Sequence, residues 1–332
     1  MNCSLNYDRP IVYINECQDY DASAIDAYNT LGDILTNEHI TLNELSSRLE
    51  LSQRLTGIVL RLKPFGLIKL TKKFPNLKFL ATATTGLTHI PIQFINHPQI
   101  RLYSLRDCKS ELKVVTATSE LTIGLILSLI RKIPFAHYDV STNLNWDRYN
   151  YTGRQATGMK ISIIGYGRLG ANVALICSSL GMSVGFYDPY VTQYDSSFEI
   201  HKYNSLDEAL READIISLHA SYEKGDPPIL SKSALDFVKH GCLIVNTARG
   251  ELIDEEYLCE KLREGQISGI AVDVLANEDD VSYNLQSSPL VSAAREGYNV
   301  IITPHIGGCC ADAMRLTERI LANKVQAMES LK

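Results

Sequence analysis

The chain has 332 residues, of which 45% are hydrophobic and 21% are charged, and its formal net charge at pH 7 is −6. This length exceeds what one ordinary hydrophobic core serves, so we expect two domains. The acidic balance argues against broad binding to nucleic acid or to an anionic membrane, whereas a small anionic substrate needs only a local basic patch.

The sequence carries no recognisable export or membrane signal. Residues 1–8 are polar and lack the apolar core of a secretory signal, and the longest apolar stretch, 121–130, is too short to span a bilayer. The eight cysteines are scattered, without CxxC pairs or metal-ligand spacing. We therefore expect a cytoplasmic protein with reduced thiols and no metal centre.

The first part of the chain alternates short β-rich runs with helical patterns. Strands are predicted at 11–14, 57–61 and 77–81. Thr41, followed three residues later by Glu44, predicts a capped helix over 41–49. The alternation indicates βαβ units and therefore a parallel sheet.

A long apolar helix is predicted over 119–133, ended by Pro134. It leads into a second block with predicted strands at 160–164, 183–187, 215–218, 243–246, 269–274 and 300–303. The regular spacing of strands and helices in this block is typical of a doubly wound sheet. A last helix over 311–331 is followed by no strand, and we expect it to pack against the first domain.

A glycine-rich turn directly follows the first strand of the second block. Gly165 permits the tight turn, Gly167 lets the backbone approach a pyrophosphate, and Gly170 lets the next helix pack closely on the strand. The following strand ends at Asp188, where a carboxylate can bind both ribose hydroxyls of NAD and would repel the 2′-phosphate of NADP. A turn-forming aspartate before Pro189 is the alternative.

Two further residues of the turn, Arg168 and Leu169, are assigned to the same dinucleotide site. Arg168 is placed to contact the pyrophosphate, although a solvated loop residue is an equally good interpretation. NAD is therefore the expected cofactor.

Three chemically different side chains follow separate predicted strands of this block: Arg249, Glu278 and His305. The carboxyl ends of parallel strands meet at one edge of the sheet, where open α/β sheets bind ligands. An arginine fork can bind the carboxylate and the carbonyl oxygen of a 2-oxo acid together. A histidine suits proton transfer near neutral pH, and a neighbouring carboxylate would raise its pKa.

Taken together and in this order, the motifs resemble those of the D-isomer-specific 2-hydroxyacid dehydrogenase family. The resemblance runs from about Trp146 to Thr317. It is carried by residues 146–148, 165–170, 187–190, 214–219, 246–250, 271–274 and 303–308.

The resemblance implies an enzyme that transfers a hydride between NAD(H) and C2 of a small 2-hydroxy or 2-oxo acid. It assigns substrate binding and polarisation to Arg249, proton transfer to His305, and the role of carboxylate partner to Glu278. It assigns further cofactor contacts to Thr247, Ala248, Asp273, His219, His305 and Gly308, with Asp273 at the nicotinamide carboxamide. For His219 a structural role is an open alternative.

The first domain resembles the family only loosely. Thr85 and Gly86 resemble its substrate loop and can present backbone N–H groups to a substrate carboxylate. Arg61 matches a position used by phosphoglycerate-type enzymes, and with Lys63 it forms either an anion site or ordinary surface charge. Cys309, beside Cys310, either contacts the substrate or is a buried thiol acting as a small hydrophobe.

The predicted fold is α/β with two Rossmann-like domains of doubly wound parallel sheet. A flavodoxin-like substrate domain comprises residues 1–112 and is completed by 303–332, and the NAD-binding domain, 113–302, is inserted into it. The resemblance also implies an active cleft between the domains and a homodimer in which the helix over 119–133 takes part.

Other functions remain open at this stage. The same fold serves regulatory proteins that sense NAD(H), although the retention of Arg249, Glu278 and His305 disfavours that function. Family outliers act on formate, phosphite or a sugar acid. Formate-type relatives carry glutamine at the position of Glu278, which disfavours formate here, and the unusual first domain permits a sugar acid without indicating one.

Overall fold

The computed structural model describes residues 8–62, 73–278, 280 and 283–331. The described residues of Met1–Val115 and Cys310–Lys332 form one compact unit, and those of Thr116–Cys309 form a second. Each unit is built around its own parallel β-sheet. Lys63, the proposed companion of Arg61 in an anion site, lies outside the described residues.

The first unit contains a five-stranded sheet in the order β2-β1-β3-β4-β5, with all neighbouring strands parallel. This order is that of the flavodoxin-like fold, so the predicted fold class is confirmed for this unit. Its strands are β1 Ile11–Ile14, β2 Asp33–Thr36, β3 Leu55–Leu60, β4 Phe79–Thr82 and β5 Arg101–Tyr103. The sequence did not predict β2 or β5, because each has only two apolar residues and so gives neither an apolar run nor an alternating pattern.

The helices that follow these strands are α1 Ala22–Asn29, α2 Leu42–Ser47 and α3 Leu49–Arg54. The capping box predicted at Thr41 and Glu44 is present, with each backbone N–H donating to the other side chain. The single helix predicted over 41–49 is interrupted at Arg48, where the backbone is extended. The hydroxyls of Ser46 and Ser47 bond to carbonyls three residues back, which competes with continuation of the helix.

The second unit contains a seven-stranded parallel sheet in the order β12-β11-β10-β9-β6-β7-β8. Its strands are β6 Lys160–Ile164, β7 Ser183–Tyr187, β8 His201–Lys202, β9 Ile215–Leu218, β10 Cys242–Asn246, β11 Ile267–Val272 and β12 Val300–Ile302. The strand order reverses at β6, as in the Rossmann fold, and this confirms the predicted doubly wound sheet. The two-residue strand β8 was not predicted.

The helices of this unit are α4 Ala117–Arg131, α5 Ile133–Asn143, α6 Arg168–Ser179, α7 Leu206–Glu212, α8 Lys232–Leu235, α9 Glu255–Arg263 and α10 Pro289–Arg295. The prediction that Pro134 ends the long apolar helix is wrong. Helix α4 ends at Arg131, Lys132 adopts a left-handed backbone conformation, and Pro134 lies in the first turn of α5. Proline fits there because the first N–H groups of a helix have no partner inside the helix.

Among the described residues one stretch, Glu111–Arg131, is long and apolar enough to cross a membrane by length and composition alone. It is longer than the run considered in the sequence. Such a single stretch is weak support for a membrane span, because core helices of soluble proteins have the same character. In α4, Leu125, Ile126, Leu129 and Ile130 are buried against the strands of the second sheet.

The last helix, α11 Ala311–Ser330, returns to the first unit as predicted. Its residues Leu321, Ala322 and Val325 are fully buried in one cluster with residues of β1 and α1. The predicted boundary before residue 303 is wrong, because the chain leaves the second unit only after Cys309. Residues just past β12 stay hydrogen-bonded to Asp273 of that unit.

Arg61, a predicted substrate ligand, is held by α11 within the first unit. Its Nη2 and Nε atoms contact Oε1 of Glu318 at 2.5 and 2.9 Å, and its Nη1 donates to the carbonyl of Gln18. The Glu318 side chain is only 1% exposed, and its other oxygen accepts from the backbone N–H of Asp21. Burial raises the pKa of Glu318 despite these hydrogen bonds. The contacts favour a structural role for Arg61 over an anion site.

We expect Arg61→Ala to lower the free energy of unfolding by about 3–5 kcal/mol, because it leaves the carboxylate of Glu318 buried without its ionic partner. The double variant Arg61→Ala/Glu318→Ala should lose less than the two single variants together. Denaturant unfolding at pH 7 measures both. Removal of the exposed pair Arg263–Glu296 is the control, with an expected cost of about 0–1 kcal/mol. Unchanged stability with a raised KM would instead favour the anion site.

Candidate active site

The glycine turn after β6 has the geometry that its sequence predicted. Gly165 has φ +94°, and a Cβ there would lie 2.6 Å from the backbone nitrogen of Ala220. A Cβ on Gly170 would lie 2.1 Å from the carbonyl oxygen of Gly165. Nothing described lies within 4 Å of a Cβ built on Gly167, so space is open at that position. Two glycines are therefore required by packing, and the third leaves room for a ligand.

Helix α6 starts directly at this open position. Its N-cap is Gly167, which provides no side-chain hydrogen bond, and Arg168 and Leu169 form the first helical positions. A twelve-residue helix with an N-terminus uncapped by a side chain presents backbone donors and the positive end of its dipole to an anion. This arrangement fits the pyrophosphate of a dinucleotide. Burial lowers the pKa of the Arg168 guanidinium.

Asp188 lies immediately after β7, beside the glycine turn. Its Oδ2 accepts from the backbone N–H of Tyr166 at 2.8 Å, and its Oδ1 accepts from that of Tyr190 at 2.9 Å. The carboxylate therefore both orders the turn and stands at the predicted end of the strand. Each oxygen has a second lone pair, so the contacts leave capacity for ribose hydroxyls. The glycine turn and Asp188 together fit NAD.

His219 follows β9 and borders the same turn. Its backbone N–H donates to the carbonyl of Ile164 at 2.7 Å, and its Nε2 lies 2.8 Å from Oγ of Ser217. Burial lowers the pKa of His219 to about 4, so its imidazole is neutral at physiological pH. Its contacts support the structural alternative as well as a place near the cofactor.

Arg249 projects from a tight turn after β10 that Asn246 closes with its side chain. The amide oxygen of Asn246 accepts from the N–H of Ala248 at 3.0 Å, and its Nδ2 donates to the carbonyl of Arg249 at 2.8 Å. Thr247 bonds through Oγ1 to Oγ1 of Thr122 in α4 at 2.8 Å. The turn that carries the half-buried Arg249 side chain is therefore held by the Asn246 side chain and by the contact of Thr247 with α4.

Gly250 brings this turn against the loop that carries Glu278. A Cβ on Gly250 would lie 2.1 Å from the backbone nitrogen of Ala276 and from the carbonyl carbon of Leu275. Any larger residue would force the two backbones apart. The glycine therefore sets the approach between the Arg249 turn and the Glu278 loop.

Asp273, at the end of β11, anchors the loop that carries His305. Its Oδ1 accepts from Oγ1 of Thr303 at 2.6 Å and from the N–H of Ile306 at 2.8 Å, and its Oδ2 accepts from the N–H of Gly307 at 2.7 Å. The residue is only 1% exposed. The carboxylate therefore holds this loop, and the contact with the nicotinamide carboxamide that the resemblance implies stays a prediction.

His305 and Glu278 are in direct contact, with 2.5 Å between Nδ1 and Oε1. Since Nδ1 is engaged by the carboxylate, Nε2 is the nitrogen that can face a substrate. Burial lowers the pKa of His305, but the hydrogen bond and charge of Glu278 raise it by more, while the positive charge of Arg249 opposes them. The net pKa is raised. His305 also has φ +54°, a conformation that is uncommon outside glycine and recurs at functional sites.

Thr85 and Gly86 lie in the first unit, after β4. The carbonyl of Thr85 accepts from Nε of Arg106 at 3.1 Å, and that of Gly86 accepts from Oγ1 of Thr84 at 2.7 Å. Their carbonyls are thus turned to neighbouring side chains within the unit. Arg106 was not singled out in the sequence, where it stands in a charged connector without a motif.

The remaining predicted residues have plain surroundings. Ala248 is half-buried, Gly308 is exposed, and Cys309 is exposed, so the prediction of a buried thiol at Cys309 is wrong. Among the described residues no group of three or more His, Cys, Asp or Glu is placed to hold a metal.

Sequence analysis missed Asn246, Glu251 and Glu255 as parts of this site. Asn246 was recognised only as part of a motif, and the two glutamates stand near the start of α9, where acidic residues are ordinary helix-start signals. Both glutamates accept hydrogen bonds from the backbone of the Glu278 loop. No local pattern could reveal contacts between segments so far apart along the chain.

Comparison with known proteins agrees with the geometry. The model of the D-isomer specific 2-hydroxyacid dehydrogenase NAD binding domain matches residues 123–307. The chain is 34% identical over 265 residues to an aromatic 2-oxoacid reductase of Clostridium sporogenes, and the match covers 76% of each protein. It is 28% identical over 317 residues to a hydroxypyruvate reductase of Thermotoga maritima, covering 95% of this chain and 96% of that one.

The fold is also similar to that of a D-lactate dehydrogenase from Aquifex aeolicus, solved in complex with NAD and lactic acid. The TM-score is 0.76 at 23% identity, and the match covers 96% of this chain and 95% of that chain. At this identity the similarity supports the fold alone.

We expect Glu278→Gln to lower the pKa of His305, because the amide can accept the Nδ1–H bond but removes the negative charge that offsets burial. NMR titration of the imidazole measures the shift. Glu296→Gln, an exposed substitution, is the control and should leave the His305 pKa unchanged. An unchanged or raised His305 pKa in Glu278→Gln would contradict the assigned pairing.

Proposed function

Since this chain belongs to the D-isomer-specific 2-hydroxyacid dehydrogenase family, we propose that Arg249, Glu278 and His305 form the centre at which a small 2-hydroxy acid and its 2-oxo acid are interconverted. The protein is an NAD-dependent oxidoreductase. The observation that carries the proposal is the 2.5 Å contact between His305 and Glu278, within the electrostatic reach of Arg249.

The residues that would hold NAD are those of the glycine turn, the start of α6 and Asp188. NADH, when bound, supplies the hydride that reduces C2 of the acid. The open space at Gly167 and the side-chain-free N-terminus of α6 support binding of the pyrophosphate there. The carboxylate of Asp188 supports a preference for the free 2′-hydroxyl of NAD over the phosphate of NADP.

In the reducing direction His305 holds the proton that the new hydroxyl requires. Glu278 accepts at Nδ1, keeps the imidazole oriented and favours its protonated form, so that Nε2 can donate to the substrate oxygen. Arg249 binds the substrate carboxylate and stabilises the negative charge that develops on that oxygen. Because the pKa of His305 is raised, the proton-loaded form persists to higher pH than for a free histidine. Reduction should decline as pH rises through that pKa.

The substrate class is a small anionic acid, with its side chain unspecified. Thr85 and Gly86 of the first unit are proposed to donate backbone N–H groups to the substrate carboxylate. Arg61 is omitted from this proposal because Glu318 engages its guanidinium.

We also propose a cytoplasmic homodimer with no nucleic-acid or membrane partner. The net charge of −6 supports the absence of a nucleic-acid partner, and the exposed free thiol of Cys309 is compatible with a reducing compartment. Helix α5, next to the predicted dimer helix, has no buried residue and exposes Tyr138, and the chain after it exposes Trp146 at 88%. Large apolar side chains exposed in this way support association.

His305→Ala should lower kcat for reduction by roughly 10²–10⁴-fold, because it removes the group proposed to supply the proton. NADH oxidation is measured with glyoxylate, hydroxypyruvate, pyruvate, 2-oxoglutarate, 3-phosphohydroxypyruvate and an aromatic 2-oxo acid. NADH binding, followed by fluorescence, should be retained. His240→Ala, an exposed histidine after α8, is the control with unchanged turnover. Near-normal turnover in His305→Ala would refute the assignment, and NADH binding without turnover of any acid by the natural chain would favour a sensor.

Asp188→Asn should raise the kcat/KM with NADPH relative to NADH on the order of tenfold, about 1.4 kcal/mol, since it removes the charge that repels a 2′-phosphate. The amide oxygen can still accept from Tyr166, so the turn should persist. Asp195→Asn, an exposed substitution in the loop after β7, is the matched control. A natural chain that already prefers NADPH would contradict the role given to Asp188.

A further inference from the structure

The loop that carries Glu278 has three consecutive backbone N–H groups that all donate to carboxylates. Leu275 donates to Oε2 of Glu278 at 3.1 Å, and Ala276 donates to Oε1 of Glu255 at 2.8 Å. Asn277 donates to Oε1 of Glu251 at 3.1 Å and has φ +62°. Only the first of these contacts is internal to the loop. Its conformation therefore depends on carboxylates from another segment of the chain.

That segment begins at Arg249 itself. Glu251 lies in the short helical turn Gly250–Leu252, and Glu255 is the first residue of α9, where Asp254 caps the helix. The backbone of Gly250 packs directly against Leu275 and Ala276. One short run of residues thus presents the substrate arginine and also holds the loop of the carboxylate that pairs with His305.

Glu255 differs from Glu251 in its surroundings. It is 9% exposed, and its carboxyl is aimed at the loop backbone rather than at solvent. Among the described residues, the groups that act on its pKa are the carboxylates of Glu251 and Glu278 and the backbone N–H of Ala276, and none of them is a lysine or arginine. The charge of Glu255 in turn raises the pKa of Tyr283 and that of Cys259. A buried carboxyl beside two others is costly to keep when, in the described part of the chain, no lysine or arginine acts on it, and this points to a role in the site.

We propose that Glu255 is a positioning residue of the reaction, which holds Ala276 so that Glu278 stays in contact with Nδ1 of His305. In this role it acts through Ala276 and Glu278 rather than on the reacting atoms, and the inference rests on the proposed roles of Glu278 and His305. Glu255 thereby controls orientation. Without its carboxyl to accept from Ala276, the loop of Glu278 can move away from His305. The imidazole then loses the carboxylate that keeps it protonated and oriented.

The surroundings of Glu255 also shift its pKa. Burial raises its pKa to about 7, the N–H of Ala276 lowers it, and the charges of Glu251 and Glu278 raise it further. An oxygen of either the acid or the carboxylate can accept from Ala276, so the hydrogen bond does not require ionisation. Ionisation adds a third negative charge next to Glu278. Turnover is therefore expected to carry an ionisation near neutral pH that belongs to Glu255, in addition to that of His305.

Four variants of the full chain separate positioning from simple packing. Glu255→Ala removes the acceptor, and Glu255→Asp keeps the charge but shortens the side chain away from Ala276. Glu255→Gln keeps an acceptor oxygen and removes the titration, and Glu256→Ala is the matched control, an exposed neighbour on the same helix. Each is measured for kcat and KM across pH 5–9, for the His305 pKa by NMR, and for thermal unfolding.

Glu255→Ala and Glu255→Asp should lower kcat on the order of 10²-fold, the cost of a misplaced reacting group, with KM for NADH little changed. In both variants the pKa of His305 should fall. Glu255→Gln should retain kcat within a few fold and a raised His305 pKa, but its pH profile should lack the ionisation near 7. Glu256→Ala should match the natural chain.

Three results would overturn the proposal. One is natural kcat and natural His305 pKa in folded Glu255→Asp, which remains informative if Glu255→Ala unfolds. Another is an equal loss of kcat in Glu255→Gln and Glu255→Ala, which means that the acceptor oxygen does not restore function. The third is a pH profile of Glu255→Gln identical to that of the natural chain. His305→Ala, assayed in parallel, keeps the proposals distinct, because natural turnover in that variant refutes the proposed function itself.

Discussion

The buried carboxylate of Asp273 is the interaction on which the site most depends. It accepts three hydrogen bonds from the loop after β12, and the backbone carbonyl of the same residue accepts from the N–H of His305. A buried carboxylate is costly unless its oxygens accept hydrogen bonds. The loop is therefore fixed in the position at which its donors reach Asp273. This explains why His305 can keep a left-handed backbone conformation and why the chain stays with the second unit until Cys309.

Carboxylates also hold the loop of Glu278, the partner of His305. The loop of Glu278 is held by Glu251 and Glu255, which belong to the segment that also carries Arg249, and Gly250 allows the two backbones to touch. Acidic side chains accepting from backbone N–H groups therefore fix both members of the His305–Glu278 contact. The orientation of Arg249, Glu278 and His305 thus depends on residues that contact them from behind. These residues lie on several loops at the carboxyl edge of one sheet.

Much of this could be read from the sequence where the signal is local. Strands β1, β6, β7 and β9 were predicted with the bounds observed, because each is an apolar run bounded by turn residues. The glycine turn and Asp188 were also placed correctly, since their spacing along one βαβ unit already determines their neighbourhood. Pro134 was misjudged because the same residue fits a helix start as well as a helix stop, and which applies depends on the chain before it.

The sequence by itself determined the doubly wound sheets, the dinucleotide turn and the identity of the groups able to carry out the chemistry. Only the tertiary structure decided which contacts hold these parts in place. Asp273, Arg61 and Glu255 each contact a partner that is distant along the chain. The structure showed that the carboxylate of Asp273 holds the loop of His305 and that the guanidinium of Arg61 is engaged by Glu318. Periodicity and spacing describe neighbours within an element, whereas the partner of a buried charge is set by which elements pack together.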